Sequence, residues 1–368
     1  MKIPNINAFH LILAIILLMS SGLIFLASAV YPKNYQLLSG HSLWFKQCLY
    51  WVVGLMIMFG VTLIPLRVWQ RFSYVGIALS LILLVLVLIP HIGTSVKGSS
   101  RWLRLPFLNI QVTEIVKLSM IIFMASYISK HHRMLEYHVS SFYKPLVVLA
   151  VMSLFILAEP DLGSVVVLVS VSLLMLFISG APLKYFLSLT GIVVATLTAL
   201  AFTQPYRIER IKAFLSPWQH KANEGYQIVN AFMAIGHGGL LGVGLGHSIQ
   251  KQFYLPEAHT DFLFAVMTEE GGLMMAIAFL MLFVFLIMLI LQTGRRALAY
   301  DDIFGYLLCM GIGFWFSIQG IINVSVNLGL LPTKGITLPF ISYGGSSLII
   351  SCIAMGLVFR TIKEHNEN

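Results

Sequence analysis

Charged residues are scarce in this 368-residue chain. Asp, Glu, Lys and Arg together make up 10% of it, whereas hydrophobic residues make up 58% and the mean hydropathy is +0.90. Soluble domains carry roughly 25% charged residues. The composition therefore excludes a soluble protein and indicates one that crosses a membrane several times.

Cysteine is also scarce, and histidine shows no metal-binding pattern. The three cysteines, Cys48, Cys309 and Cys352, each lie in an apolar run, where cysteine behaves as a small buried hydrophobe. We therefore predict no disulfides and no redox centre. No metal-ligand spacing occurs on any one predicted helix among His131, His132, His237, His247 and His259.

Long apolar runs, by contrast, are abundant. A helix needs about 20 apolar residues to cross roughly 30 Å of hydrocarbon. Ten runs predict an all-α, polytopic integral membrane protein with about ten transmembrane helices, and we treat residues 1–368 as one transmembrane domain. The runs lie near residues 9–30, 43–65, 72–90, 112–129, 143–158, 162–180, 184–202, 262–291, 303–323 and 345–362.

An even number of spans places both termini on the same side of the membrane. The basic residues of the short loops favour the cytoplasm for that side. Residues 203–261, between the seventh and eighth predicted helices, then form a large loop on the outer side. Residues 292–302 are predicted to face the cytoplasm.

The outer side carries more positive charge than this orientation requires. Arg101, Arg104, Arg207, Arg210 and Lys334 all fall there. An anionic ligand such as a phosphate or pyrophosphate headgroup would account for them. Attraction to anionic lipid headgroups accounts for any single one of them, so both interpretations remain open.

The first two segments predicted to lie on the outer side are short and polar. Residues 93–106 are rich in Gly and Ser, which predicts an irregular loop, and Trp102 there is either a ligand contact or a membrane-interface anchor. Glu159 and Asp161 flank a proline between two apolar runs. Asp161 is either a functional carboxylate or the cap of the next helix.

Two longer polar segments complete the outer side. Residues 203–261 include a glycine-rich run at 236–246, which lacks the strand context of a dinucleotide site and is better explained by backbone flexibility or close helix packing. Residues 327–347 contain helix-breaking prolines and glycines at membrane depth. Such backbone is tolerated only where it lines a cavity or is buried in protein.

Ionisable side chains at membrane depth need a reason, because they are costly without a partner. Asp261 lies where the large outer loop meets an apolar helix, with Glu269 and Glu270 further along it. Asp261 is a candidate for chemistry on a lipid-borne substrate, and capping of the eighth predicted helix is the alternative. Glu114 and Lys117, three residues apart, share a helix face and are predicted to form an ion pair.

Several motifs together resemble the SEDS family (shape, elongation, division and sporulation) over about residues 9–362. Arg207 and Arg210, which precede Phe-Leu-Ser-Pro-Trp, belong to the same pattern. The motifs are Gly-Ser-Ser-Arg-Trp-Leu at 98–103, Glu-Pro-Asp-Leu-Gly at 159–163, Gly-Tyr-Gln at 225–227, Leu-Pro-Glu-Ala-His-Thr-Asp-Phe at 255–262 and Pro-Thr-Lys-Gly-Ile-Thr-Leu-Pro-Phe-Ile-Ser-Tyr-Gly-Gly-Ser-Ser at 332–347. The form of the last two motifs favours the division branch of the family over the elongation branch.

The resemblance implies a peptidoglycan glycosyltransferase of the bacterial inner membrane that polymerises lipid II into glycan strands.

 It would work at the division septum beside a class B penicillin-binding protein and other divisome membrane proteins, with both termini cytoplasmic and no nucleic-acid partner. On this resemblance the catalytic acid/base falls on Asp261, and Glu114 and Lys117 match a polar pair of the family. The residues expected to bind substrate are Arg101, Trp102, Arg207, Arg210, Lys334 and Tyr343.

The expected chemistry is attack by a sugar hydroxyl of the acceptor on the anomeric carbon of a donor held by pyrophosphate to its polyprenol. Asp261 would accept the hydroxyl proton. Lys334 with Arg207 or Arg210 would neutralise the departing pyrophosphate, and a divalent cation could share that task. A lipid II flippase and a noncatalytic scaffold of the cell-wall complex are the alternatives.

Overall fold

The computed structural model describes residues 8–36, 43–96, 99–104, 109–135, 139–180, 182–202, 204–252 and 254–366. Parts of the predicted outer segments, namely residues 97–98, 105–106, 203 and 253, lie outside these ranges. Helices form most of the described chain, and each predicted apolar run falls largely within one of them.

The helices, numbered in chain order, alternate with short connections except near residue 100. One small sheet, β1 to β3, interrupts them. The helices are α1 (Ala8–Gln36), α2 (Leu43–Thr62), α3 (Leu66–Arg71), α4 (Ser73–Leu88), α5 (Val112–Leu135), α6 (Val139–Ala158), α7 (Leu162–Ile178), α8 (Leu183–Ala201), α9 (Pro205–Leu215), α10 (Tyr226–Gly238), α11 (Leu263–Ala299), α12 (Ile303–Asn327) and α13 (Gly345–Asn366).

Within the described ranges, six helices are long and apolar enough to cross a membrane. These are α1, α2, α5, α11, α12 and α13, whereas the apolar parts of α4, α6, α7 and α8 are shorter. The apolar part of α5 is largely buried in the protein, and that of α2 is largely exposed. The multi-pass, mostly helical prediction is therefore confirmed.

The prediction of an irregular loop at residues 93–106 is wrong for the residues of this segment that the structure describes. β1 (Gly93–Val96), β2 (Ser99–Arg104) and β3 (Asn109–Gln111) form an antiparallel sheet in the order β1-β2-β3. Backbone groups near a bilayer need hydrogen-bond partners, and the strand pairing supplies them. Ser346 on α13 anchors β3, because its Oγ donates to the Asn109 carbonyl at 2.6 Å and accepts from Gln111 N at 3.0 Å.

The large predicted loop at 203–261 contains the two helices α9 and α10. Its glycine-rich run packs along the kink of α11 at Gly272, whose φ is 73°. Leu273 N donates to the Gly239 carbonyl at 2.9 Å, and Val243 N donates to the Glu269 carbonyl at 3.0 Å. A Cβ at Gly272 would clash with the Leu240 carbonyl, so glycine is required there. The predicted close packing of the run is confirmed.

At the other end of α11, the segment 292–302 is mostly helix and not loop. The helix continues to Ala299, and Tyr300–Asp302 form the connection to α12. Small residues bring these two helices together, since Gly313 and Gly320 on α12 face Leu291 and Phe283 on α11. The start of α11 lies beside the end of α12, where Ala265 N donates to Asn327 Oδ1 at 3.1 Å.

Candidate active site

Asp261 lies in the last turn before α11, one residue ahead of the N-cap position of that helix. Phe262 is the N-cap residue and makes no side-chain capping bond. The Asp261 carbonyl accepts hydrogen bonds from the side-chain amides of Asn323 and Asn327, both at 3.0 Å. Its half-buried side chain faces Gly335, where an added Cβ would lie 3.1 Å from Asp261 Oδ2. Asp261 is therefore next to the loop that carries Lys334.

The turn that precedes Asp261 is also well defined. Glu257 has a left-handed backbone, with φ of 58°, and its Oε2 accepts from Thr260 Oγ1 at 2.9 Å. Tyr343 N donates to the His259 carbonyl at 3.0 Å, and the two rings lie 5.8 Å apart. Burial raises the pKa of Tyr343 to about 12. Its hydroxyl therefore stays protonated at neutral pH and can donate a hydrogen bond.

Lys334 lies half-buried in the connection between α12 and α13. Burial lowers the pKa of its ammonium group, the charge of Asp161 opposes this effect, and the charges of Arg207 and Arg210 add to it. The charges of Arg207 and Arg210 on α9 and of Asp161 at the start of α7 therefore act on the ammonium group of Lys334.

Asp161 has the capping role that the sequence predicted as one of its two alternatives. Its Oδ1 accepts from Ser164 N at 3.1 Å and its Oδ2 accepts from Ser164 Oγ at 2.7 Å, at the start of α7. Arg101 Nε lies 3.5 Å from Asp161 Oδ2, and Arg101 Nη2 donates to the Pro160 carbonyl at 2.9 Å. The β2 strand is thereby joined to the turn between α6 and α7.

Glu159, in the same turn, has an environment that the sequence did not reveal. It is fully buried, and neither carboxyl oxygen has a hydrogen-bond partner among the described residues. Burial, with a contribution from Asp161 and against the effect of Arg101, raises the pKa of Glu159 to about 8. The side chain is therefore mostly protonated at neutral pH. The Glu-Pro-Asp motif marked the position, but burial of this depth depends on neighbouring helices.

The predicted ion pair on α5 is confirmed. Lys117 Nζ lies 2.8 Å from Glu114 Oε1, and both side chains are buried. Lys117 also donates to Gln319 Oε1 on α12 at 3.1 Å, and Gln319 Nε2 donates to the Thr337 carbonyl at 2.8 Å. The pair is thus connected through α12 to the loop that carries Lys334.

Two other predicted site residues lie on β2 and α9. Trp102 is on β2, where its carbonyl accepts from Thr94 Oγ1 at 3.0 Å. Arg210 is exposed on α9 and pairs with the exposed Glu224 at 3.6 Å. Charge pairs of this kind on a surface contribute little stability.

Glu269 and Glu270 on α11 have partners that the sequence did not predict. Glu269 accepts from Ser248 Oγ and from Ile249 N, the latter at 3.0 Å. Glu270 Oε1 accepts from Lys251 Nζ at 2.7 Å and from Ser28 Oγ on α1 at 2.6 Å. Both carboxylates hold residues 248–251 against α11, and Glu270 also binds Ser28 on α1.

Comparisons with known proteins agree with this arrangement. A family model for FtsW, RodA and SpoVE, described as cell cycle protein, matches residues 9–367. The chain belongs to this family. The SEDS resemblance is thereby confirmed over nearly the whole chain.

Three relatives of the family carry the name probable peptidoglycan glycosyltransferase FtsW. The protein of Nitrosococcus halophilus is 47% identical over 86% of this chain and 82% of its own length. That of Thioalkalivibrio sulfidiphilus is 42% identical over 97% and 90%. That of Coxiella burnetii is 41% identical over 94% of each chain.

Solved structures of the family share the fold. The rod shape determining protein RodA of Thermus thermophilus superposes with a TM-score of 0.71 and 25% identity, over 99% of this chain and 100% of the other. A chain from a study of how a peptidoglycan synthase complex coordinates polymerization and crosslinking superposes with a TM-score of 0.79. It is 24% identical, and the match covers 98% of each chain.

Proposed function

We propose that the protein is a peptidoglycan glycosyltransferase that polymerises lipid II into glycan strands during bacterial cell division. The observation that carries the proposal is the position of Asp261, whose carboxylate faces the Lys334 loop at the outer end of α11. Relatives 41–47% identical over most of the chain are named for this activity. A membrane carboxylate beside clustered cations suits a substrate with a pyrophosphate headgroup.

In the proposed reaction Asp261 acts as general base. It accepts the proton of an acceptor sugar hydroxyl while that oxygen forms a bond to the anomeric carbon of the donor. The bond between the anomeric carbon and the pyrophosphate oxygen breaks, and polyprenyl diphosphate leaves with the electron pair. Lys334, Arg207 and Arg210 neutralise the charge that develops on the leaving group.

Three further residues are proposed to bind the substrate. Arg101, Trp102 and Tyr343 belong to segments that border the same outer side, and Tyr343 is joined by its backbone to the turn that carries Asp261. Glu114 and Lys117 support the Lys334 loop from within the membrane through Gln319. In the part of the chain that the structure describes, no three His, Cys, Asp or Glu side chains are grouped together.

The proposed membrane arrangement has ten spans, α1, α2, α4 to α8 and α11 to α13, in a single transmembrane domain. Residues 203–261 face the periplasm, and both termini and the turn at Tyr300–Asp302 face the cytoplasm. Single cysteines in a background without Cys48, Cys309 and Cys352 should follow this pattern with a membrane-impermeant maleimide in spheroplasts. Labelling of the turn at 300–302 before lysis would contradict the arrangement.

The proposed partner is a class B penicillin-binding protein, whose transpeptidase would crosslink the new strands at the septum together with other divisome proteins. The fold shared with a chain of a peptidoglycan synthase complex supports this partner. Copurification of the two proteins from membranes tests it, and loss of the complex in mild detergent together with normal septal growth would contradict it.

The activity is tested by adding lipid II to the purified protein in liposomes, alone and with the partner. Glycan strands resolved on a gel are the expected product, and wild-type protein is to be compared with Asp261→Asn. Transfer of lipid II across the liposome membrane without polymer would support a flippase instead. The absence of polymer and of transfer, with the partner present, would leave a scaffold role.

A further inference from the structure

Three amide side chains form a line along one face of α12. Gln319, Asn323 and Asn327 are spaced by four residues, which places them on the same side of a helix. Each is at most 3% exposed. We call these three residues the amide ladder. A buried amide in a membrane protein is costly unless its hydrogen bonds are made, so the contacts of the ladder show what it holds.

Asn323 connects two loops from different parts of the chain. Its Nδ2 donates to the Asp261 carbonyl at 3.0 Å and to the Ile336 carbonyl at 2.7 Å. Asp261 carries the proposed base, and Ile336 is two residues from Lys334. One amide nitrogen therefore fixes the separation between the backbone of the base and the backbone of the cationic loop.

The other two residues of the amide ladder each bind one of these loops, Asn327 the turn at Asp261 and Gln319 the loop that carries Lys334. Asn327 donates to the Asp261 carbonyl at 3.0 Å and accepts from Ala265 N at 3.1 Å, an amide in the first turn of α11 that also donates to the Phe262 carbonyl at 3.1 Å. Gln319 holds the Thr337 carbonyl at 2.8 Å while its Oε1 accepts from Trp315 and Lys117. Asn323 alone in the ladder joins both loops through the hydrogen bonds described here.

We propose that Asn323 is a positioning residue that holds the Asp261 turn and the Lys334 loop at the separation that glycosyl transfer requires. This inference rests on the proposed function for its catalytic consequence, although the positioning itself does not depend on which reaction is catalysed. Asn323 does not act on the substrate. Its contribution is to place one general base and one cation on a common site, and a misplacement of about 1 Å in such a site can cost about a hundredfold in rate.

The geometry can be measured without activity. In a background lacking the three native cysteines, Asp261→Cys and Gly335→Cys place two thiols in contact, because a Cβ at Gly335 would lie 3.9 Å from Asp261 Cγ. Disulfide formation under mild oxidation in membranes is read from gel mobility after a proteolytic site is introduced between them. We expect the disulfide to form about tenfold more slowly when Asn323→Leu or Asn323→Asp is added, a factor that corresponds to the loss of about one hydrogen bond.

The catalytic consequence is measured with Asp261 and Gly335 intact. Asn323→Asp keeps the shape and the acceptor oxygen but removes both donor hydrogens, and Asn323→Leu removes the amide altogether. We expect each variant to lower kcat for glycan polymerisation about a hundredfold and to change KM much less, because substrate contacts remain.

The matched control is Asn230→Leu on α10. Asn230 is equally buried, and its Nδ2 donates to the carbonyls of Tyr226 and Tyr254, both at 2.9 Å, so it too holds the outer segment. It contacts neither Asp261 nor Ile336 through these bonds. We expect this variant to leave the disulfide rate within about threefold of its parent, less than the effect of one full hydrogen bond.

The outcomes separate the two proposals. Slower disulfide formation in the Asn323 variants but not in Asn230→Leu supports positioning, even if the wild-type protein makes no glycan, which would contradict the proposed function alone. Equal disulfide rates with and without Asn323 would overturn the positioning proposal, as would equal slowing by the control. Loss of both Asn323 variants from the membrane would mean that Asn323 maintains the fold, and would also overturn it.

Discussion

Asp261 differs from Glu269 and Glu270, which follow it closely in the chain, in burial and in the group that its neighbours bind. Glu269 and Glu270 are at most 1% exposed, and their oxygens accept from Ser248, Ile249, Lys251 and Ser28. Asp261 is half-buried, and the amides of α12 bind its backbone carbonyl. The carboxylates of Glu269 and Glu270 bind residues 248–251 and Ser28. At Asp261, by contrast, α12 binds the backbone carbonyl.

On the proposed function, this difference separates structural from chemical acids within one segment. A buried carboxylate that accepts from protein donors stabilises the fold, and it is not accessible to a substrate proton. The proposed base is instead positioned through its backbone carbonyl, which does not take part in proton transfer. We therefore expect substitutions at Glu270 to affect stability first, and substitutions around Asp261 to affect rate first.

The largest effect among the neighbouring residues is expected for Lys334→Ala. Removal of one group that stabilises developing negative charge commonly lowers kcat by about 10²–10³. Lys334→Arg keeps the charge and should retain more activity. Polymerisation of lipid II, normalised to folded protein, is the measurement. Full activity of Lys334→Ala at limiting lipid II would remove Lys334 from the site.

Glu270→Gln tests the structural half of the comparison. Breaking a buried ion pair costs about 3–5 kcal/mol, because Lys251 is left with an uncompensated charge. We expect a lower apparent melting temperature and less protein in the membrane. Lys251→Met combined with Glu270→Gln should recover part of the loss. An unchanged melting temperature with abolished catalysis would place Glu270 with Asp261 instead.

Glu159→Gln sharpens the comparison with a buried carboxyl that lacks donors. The pKa of Glu159 rises from 4.5 to about 8 in the folded protein. The stability of the wild-type protein is thus fully present below about pH 4.5 and falls as the pH approaches 8, because only the unfolded chain ionises readily. Glutamine cannot ionise, so the variant should lose less stability over this range.

The measurement is the apparent melting temperature of both proteins between pH 5 and pH 8, a range set by the two pKa values. The difference in favour of Glu159→Gln should grow with pH. A constant difference would show that the Glu159 carboxyl does not titrate between these limits.

Arg207→Gln should have the smallest effect on rate, because Arg210 on the same helix remains to neutralise the leaving group, and it should also shift the alkaline limb of the activity profile. Arg207 helps to lower the pKa of Lys334. Without Arg207 the pKa of Lys334 rises, so the ammonium group keeps its charge to higher pH. The activity should then persist further into the alkaline range in a pH series of kcat. A shift to lower pH would contradict the electrostatic contact.

The helices and one ion pair could be predicted from residue types and spacing. The apolar runs predicted the helices, because helical length and hydrophobicity are local properties of the sequence. The three-residue spacing of Glu114 and Lys117 predicted their ion pair for the same reason. The position of the N-cap of α11 needed the fold, which places it at Phe262.

Contacts between residues far apart in the chain could not be predicted from the sequence. Nothing local in Asn323 indicates that one amide reaches both Asp261 and Ile336, since those residues are 62 and 13 positions away. The environment of Glu159 depends on burial by other helices. The sheet at residues 93–111 escaped because its strands are short and rich in Gly and Ser, which are typical of turns.

The central claim, that Asp261 is a chemical rather than a structural acid, is tested most directly by the rate of glycan polymerisation by Asp261→Asn. Asparagine has nearly the same shape, and the backbone carbonyl that Asn323 and Asn327 bind is unchanged. Loss of a general base commonly costs about 10²–10⁴ in rate. We expect a loss of that size with an unchanged melting temperature, whereas a near-normal rate in folded protein would contradict the account.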